Sequence, residues 1–370
     1  MTNKMLTALG LMSGTSMDGV DVAVIRTDGG GIVEAGGHSF HAYSPDQRDL
    51  LREAIVAAQP LRNRHVRPDR LAQAEAMVTD VHAQAVISFM TKEGLAPGDI
   101  ELVGFHGQTV LHRPQDGLTI QIGDGAVLSR QIGIDVVYDF RANDMERGGQ
   151  GAPLVPVFHQ ALCRSSKVTY PVIVMNIGGV ANITYLVADE APPVACDIGP
   201  GNALIDDFML ERSGTAIDRD GLMAASGRVD AAVLKALLAH PFFDQKPPKS
   251  LDRHDFSRDP VASLTTADGA ATLSAFTAQA AALILRFLPE KPKSLIIAGG
   301  GAFNPTLVRM LADAFGLLPV TADAMGWSTH ALEAQAFAYL AVRSKRGMAL
   351  TFPSTTGVAR PVTGGILATR

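Results

Sequence analysis

The sequence predicts an α/β protein with mixed or parallel sheets covered by helices, on three observations. Apolar strand-like runs alternate with helix-like segments along its 370 residues. A strand, a small polar turn and a second strand occur near the amino terminus and recur in the same order far downstream, a weak internal duplication. A third strand runs into a glycine turn and then a helix. The length suits about two domains, each able to bury a core.

Taken in order, Ala8 to Met12, the turn at Gly14 to Gly19 and Val20 to Arg26 read as a β-hairpin. The second hairpin is Val172 to Met175, Asn176-Ile177-Gly178-Gly179, then Val180 to Leu186. Leu295 to Ala298 ends in Gly299-Gly300-Gly301-Ala302, after which Asn304 suits an N-cap and Pro305 a first helical residue. Asp244 to Asp268 is polar and proline-containing and reads as a long surface excursion. Ala270 to Leu285 is apolar but carries Thr272, Ser274, Thr277 and Gln279, so it reads as a buried helix and not a membrane span.

A net charge of −5, from 32 basic and 37 acidic residues spread along the chain, gives no footprint for nucleic acid or an anionic membrane. Arg62, Arg64, Arg67 and Arg70 cluster, but Asp69 and Glu75 lie close in sequence and the group reads as a solvated face. Two cysteines, Cys163 and Cys196, cannot build a disulfide framework or a four-cysteine metal site, which fits a reducing, cytoplasmic setting. The apolar start runs straight from Met12 into Ser13-Gly14-Thr15-Ser16 with no convincing cleavage pattern of a secretory signal.

The turns at Gly14 to Gly19, Asn176 to Gly179 and Gly299 to Ala302 share one physical use. Glycine lets backbone N–H groups approach an anion, and Ser or Thr hydroxyls add donors, so such turns can cradle phosphates as well as close hairpins. Neither a P-loop ending in Gly-Lys-Ser/Thr nor a full dinucleotide fingerprint is present. Asp197 stands at the end of an apolar run, before Gly199-Pro200-Gly201, with Asn202 placed to cap a helix through about Glu211. It is either a reactive carboxylate at a strand end or one that hydrogen-bonds the turn after it. Glu333 lies near the start of a helix expected over Ser328 to Ser344, capped by Ser328 or Thr329, with Phe337 and Leu340 on its stripe. Favourable charge in a first turn explains such a carboxylate without function; Asp197 as a partner favours function. His106 and Gln108 follow the strand-like Leu102-Val103, and the planar fork of Arg141, after Asp139-Phe140, suits a carboxylate.

Together these segments resemble the anhydro-N-acetylmuramic acid kinase family. The resemblance rests on Gly10 to Asp21 (GLMSGTSMDGVD), Phe105-His106-Gly107-Gln108-Thr109, Asp139-Phe140-Arg141 and Gly148-Gly149-Gln150-Gly151-Ala152-Pro153. It continues through Asn176 to Gly179, Asp197 with Gly199 to Asn202, and Gly299 to Asn304, collinear over nearly the whole chain.

The resemblance implies a two-lobed, actin-like (ribonuclease H-like) ATPase fold with a mixed sheet in each lobe and an interlobe cleft. The expected lobes are 1–134 with 350–370, and 135–349. It implies ATP-dependent opening of the 1,6-anhydro ring of 1,6-anhydro-N-acetylmuramic acid and phosphorylation of O6 in cell-wall recycling. Asp197 is then the base that activates water, and Glu333 helps position it. Ser13, Gly14, Thr15, Ser16, Met17, Asp18 and Gly19 are expected at the phosphates, with Asp18 reaching magnesium through water. Asn176, Gly178, Gly179, Gly299, Gly300, Gly301 and Asn304 complete the nucleotide site, and His106, Gln108, Asp139 and Arg141 face the sugar. A homodimer is implied by the family alone. Two other readings stay open: an ordinary hydroxyl-directed sugar kinase on the same fold, and an actin-like or chaperone-like ATPase module.

Overall fold

The computed structural model describes residues 4–370. Its strands in chain order are β1 (Leu6–Met12), β2 (Gly19–Thr27), β3 (Val33–Ala42), β4 (Leu102–Phe105), β5 (Gln108–Arg113), β6 (Leu118–Ile122) and β7 (Val136–Tyr138), followed by β8 (Val172–Ile177), β9 (Val180–Leu186), β10 (Val194–Pro200), β11 (Ser294–Ala298), β12 (Val320–Thr321) and β13 (Ile366–Ala368). The chain divides into two compact units, one of residues up to Ser166 with His330–Arg370, the other Lys167–Thr329.

In the first unit β1, β2 and β3 form an antiparallel meander, β4 and β7 extend the sheet in parallel beyond β1, and β13 closes the edge. The order is β13-β7-β4-β1-β2-β3. In the second unit β8, β9 and β10 form the meander and β11 and β12 add in parallel, in the order β10-β9-β8-β11-β12. With the edge strand β13 set aside, the two sheets have the same plan, so the repeated strand-turn-strand of the sequence is a repeat of topology. The architecture is one mixed α/β arrangement, built twice.

Both hairpins form where the sequence places them, with Leu6 opposite Thr27 and Met12 opposite Asp21 in the first, and Val172 opposite Leu186 in the second. The first core unites Leu9, Leu11, Val22, Val86, Phe89 and Val103. In the second unit the helix Thr266–Ala282 continues as a 3-10 turn, Leu283–Phe287. The span Thr266–Phe287 is long and apolar enough to cross a membrane. It is instead the core helix of this unit, with Leu273, Phe276 and Ala280 packed among Phe208, Phe243 and Phe256.

The units meet the chain at different points from the 134 and 350 expected. The helix Pro156–Ser165 packs on β3 and on the helix Leu332–Lys345, which itself lies on β1, β2 and β4. Two glycines permit that close approach: a Cβ on Gly10 would sit 1.7 Å from the Ala334 carbonyl oxygen, and one on Gly104 2.0 Å from that of Phe337. Both helices therefore belong to the first unit. The second of them begins at Leu332, later than expected, and neither Ser328 nor Thr329 caps it. Thr329 is bonded to Asp323 instead, through its N–H at 3.0 Å and its hydroxyl at 2.9 Å.

Candidate active site

In the second unit three bends converge at the ends of β8, β10 and β11. Gly201 N–H donates to Gly179 O at 2.9 Å and Asn202 N–H to Gly178 O at 2.7 Å. The Asn202 side chain donates to Ile177 O at 3.1 Å, so it ties the bends together and makes no cap bond to the helix Ala203–Ser213. A Cβ on Gly201 would lie 2.2 Å from Gly178 O, and one on Gly299, whose φ is 78°, 2.5 Å from Asn176 Oδ1. Packing thus fixes Gly201 and Gly299, whereas a Cβ on Gly178 or Gly179 would make only ordinary van der Waals contact, its nearest atoms lying 3.7 and 3.6 Å away. Asn304 caps the helix Pro305–Phe315 as expected, and its Oδ1 is occupied by Leu307 N–H at 3.0 Å.

Asp197 sits on β10 where the ladder with β9 slips between Asp197 and Gly199, an irregularity that re-aims a side chain. Its Oδ2 accepts Leu251 N–H at 2.8 Å, and its own N–H donates to Lys249 O at 3.0 Å. Burial pushes the Asp197 carboxyl up to about 6, and the Leu251 bond opposes that push. The segment around Lys249 is accordingly not the free surface excursion expected over 244–268. Lys249 is 7% exposed, donates from Nζ to Phe242 O at 3.1 Å, and lies 4.1 Å above the Phe242 ring.

In the first unit the turn between β1 and β2 presents Thr15, Ser16 and Asp18 to solvent. Met17 N–H donates to Gly14 O at 3.2 Å, Met17 has a φ of 55°, and Ser16 Oγ donates to Asp18 Oδ1 at 2.7 Å. Beneath it, buried Ser13 donates to Gly107 O at 3.0 Å, and Gln108 Nε2 donates to Gly14 O at 2.9 Å. Ser13 and Gln108 therefore brace the turn. A Cβ on Gly14 would meet only Ser16 Oγ, at 3.7 Å, while Gly19 is pressed against the His41 carbonyl oxygen and serves the sheet.

Beside it, Arg141 donates from Nη1 to Gly151 O at 2.8 Å and from Nη2 to His106 Nε2 at 2.9 Å. A guanidinium only donates, so His106 Nε2 accepts and the ring carries its proton on Nδ1. Burial and the Arg141 cation hold the His106 pKa well below its ordinary value, which keeps the ring neutral. Burial also lowers Arg141 to about 10, against the attraction of Glu333 and Asp144; it remains a cation at neutral pH. Glu333 is the one solvent-reached position from Leu332 to Val342. Surrounding protein raises its pKa, Arg141 pulls it back, and access to water limits the effect. Asp139, with φ 57°, pairs with Arg64, and both line a cavity of about 230 Å³ with His106, Arg67 and Tyr138. Arg67 bonds Glu75 at 3.0 Å, so two of the four clustered arginines are structural props and not a solvated face.

The sequence profile of anhydro-N-acetylmuramic acid kinases matches residues 6–369 of the chain. This chain belongs to the anhydro-N-acetylmuramic acid kinase family. An anhydro-N-acetylmuramic acid kinase of Methylobacterium nodulans is 53% identical over 98% of this chain and 99% of the relative. One of Bradyrhizobium diazoefficiens is 52% identical over the same shares. Among solved structures, the Acidaminococcus fermentans (R)-2-hydroxyglutaryl-CoA dehydratase component A aligns at a TM-score of 0.46 and 12% identity, over 91% of this chain and 99% of that one.

For a kinase of this family, sequence reasoning gave no role to Asp21, although the residue lies inside the opening motif. Burial, with Asp18 and Glu333 adding and His330 opposing, raises Asp21 to about 6. Its place opposite Met12 at the hairpin mouth was the available signal. Lys249 and Leu251 were also missed, because a backbone N–H reaching a carboxylate from 54 positions away leaves no local trace. Among the described residues no three His, Cys, Asp or Glu side chains gather as a metal site.

Proposed function

We propose that the chain uses ATP to open 1,6-anhydro-N-acetylmuramic acid with water and phosphorylate its O6, giving N-acetylmuramic acid 6-phosphate for cell-wall recycling, as a cytoplasmic homodimer. The observation that carries the chemistry is Asp197: one oxygen is held by Leu251 N–H, and burial lifts the carboxyl to about 6, within the range of a general base working near neutrality. Family membership supports the substrate.

The O6 of an anhydro sugar carries no proton, so a base must find its proton elsewhere. Asp197 takes it from water as that water attacks the anomeric carbon, and Glu333 helps orient the same water. The C1–O6 bond breaks, O6 leaves with the electron pair, and this oxyanion would attack the γ-phosphorus in line as the bond from that phosphorus to the β,γ-bridging oxygen breaks and ADP leaves. The turns at Gly14, Gly178 and Gly179, where a Cβ would occupy space the glycines leave free, suit the phosphates of a nucleotide. Bound ATP would supply the phosphoryl group, and Asp18 would hold magnesium through water, where the ion would offset the phosphate charge. Arg141 suits the lactyl carboxylate, because its Nε has no hydrogen-bond partner among the described residues. Neutral His106 fixes the other edge of that guanidinium.

The test is ATP turnover with and without the anhydro sugar, with product mass. Sugar-dependent ADP release and a product heavier by both water and phosphate are expected. ATP hydrolysis indifferent to sugar, with no sugar phosphate formed, would sink the proposal.

A further inference from the structure

We propose that Asp144, which touches neither reacting atom nor substrate, is a positioning residue that aims Arg141 and so sets the preference for a carboxylate-bearing sugar; the inference rests on the reading of Arg141 given above. Asp144 is 2% exposed. Its Oδ1 accepts the hydroxyls of Thr351 at 2.5 Å and Thr356 at 2.7 Å, and its Oδ2 accepts Gly151 N–H at 2.7 Å. Its main-chain oxygen takes Gly149 N–H at 2.9 Å, and Gln150 N–H donates to Thr356 O at 2.8 Å. One carboxylate thus stitches the 149–151 loop to the carboxy-terminal segment.

The loop is where Arg141 is anchored, since Gly151 O is the acceptor for its Nη1. A carboxylate is required by the donor count. Three N–H or O–H groups converge on two oxygens, and an Asn would turn an NH2 toward a donor and leave buried groups unpaired. The space around Asp144 is also closed, because a Cβ on Gly149 would lie 2.1 Å from Oδ2. A shift of the loop carries the Gly151 carbonyl with it, and the guanidinium then turns on His106 alone.

The experiment compares kcat/KM for 1,6-anhydro-N-acetylmuramic acid with that for its lactyl methyl ester, in the full chain. Asp144→Asn is expected to lower the acid-over-ester ratio by about tenfold or more, the scale of one charged hydrogen bond, with the KM for ATP unchanged. Should that variant not fold, Thr356→Val, which removes one donor to Oδ1, is expected to lower the ratio in the same direction. Arg141→Gln is the control. If the unaltered chain and Arg141→Gln give the same ratio, the reading of Arg141 falls. If Arg141→Gln loses the preference while the folded Asp144 or Thr356 variant keeps it, the positioning role alone is overturned.

Discussion

Replacing Asp197 by Asn removes a base while leaving the local fold almost intact. The amide oxygen can still accept Leu251 N–H, which now bonds Oδ2 at 2.8 Å, and the main-chain bond to Lys249 O does not involve the side chain. The change is therefore confined to the proton acceptor. With a pKa of about 6, wild-type Asp197 is about nine-tenths ionised at pH 7 and only about one-tenth at pH 5. Turnover on the anhydro sugar should rise about tenfold per pH unit below that value and level above it. In Asp197→Asn, turnover at pH 7 should fall by ~10²–10⁴, or ~3–5 kcal/mol in barrier, and the part of the acid limb due to this group should vanish. Steady-state ADP release at saturating sugar, from pH 5 to 8, reads both effects, and nucleotide binding by calorimetry should be unaltered. A variant within about threefold of wild-type turnover, where base catalysis is worth at least ~10², would remove Asp197 from the chemistry.

Further outcomes follow from the same structure. Because burial raises Asp197 from 3.8 to about 6, the fold favours its protonated form; that stability is present below about pH 4 and lost as pH rises through 6. Asp197→Asn should therefore be ~1–2 kcal/mol more stable than wild type at pH 7, with the gap closing below pH 4, and equal urea midpoints at pH 7 would contradict this. Gly201→Ala forces a Cβ to 2.2 Å from Gly178 O, so a loss of ~1–3 kcal/mol in stability and a raised KM for ATP are expected. An unchanged Tm and KM would mean that the bends do not act as one platform. Arg64→Ala leaves Asp139 without its cation in a site where the carboxylate side chain is 11% exposed, and should cost about 2 kcal/mol by chemical denaturation; a loss under ~0.5 kcal/mol would show the pair to be dispensable.

Much of the scaffold was legible because it is written locally. Hairpin turns, the Asn304 cap before Pro305 and the carboxylate that follows the apolar start of β10 each follow from a few adjacent residues. What stayed hidden depends on contacts across the chain. The bond from Leu251 to Asp197, the threonines that reach Asp144 from over 200 positions away, and the Asn202 side chain turned to Ile177 have no local pattern. Arg64 and Arg67 looked solvated because their nearest acids in sequence were Asp69 and Glu75; Arg64 finds Asp139 instead, 75 residues on. The unit boundary moved for a similar reason, since the docking of Leu332–Lys345 on β1 and β4 is decided by Gly10 and Gly104, more than 200 positions earlier.

Proton removal from water and attack of that water on the anomeric carbon can be followed by isotope. Turnover in heavy-oxygen water, with the product sugar phosphate fragmented by mass spectrometry, should place one label on the anomeric hydroxyl and none on O6. A phosphorylated sugar with no label at the anomeric carbon would contradict ring opening by water and with it the role given to Asp197.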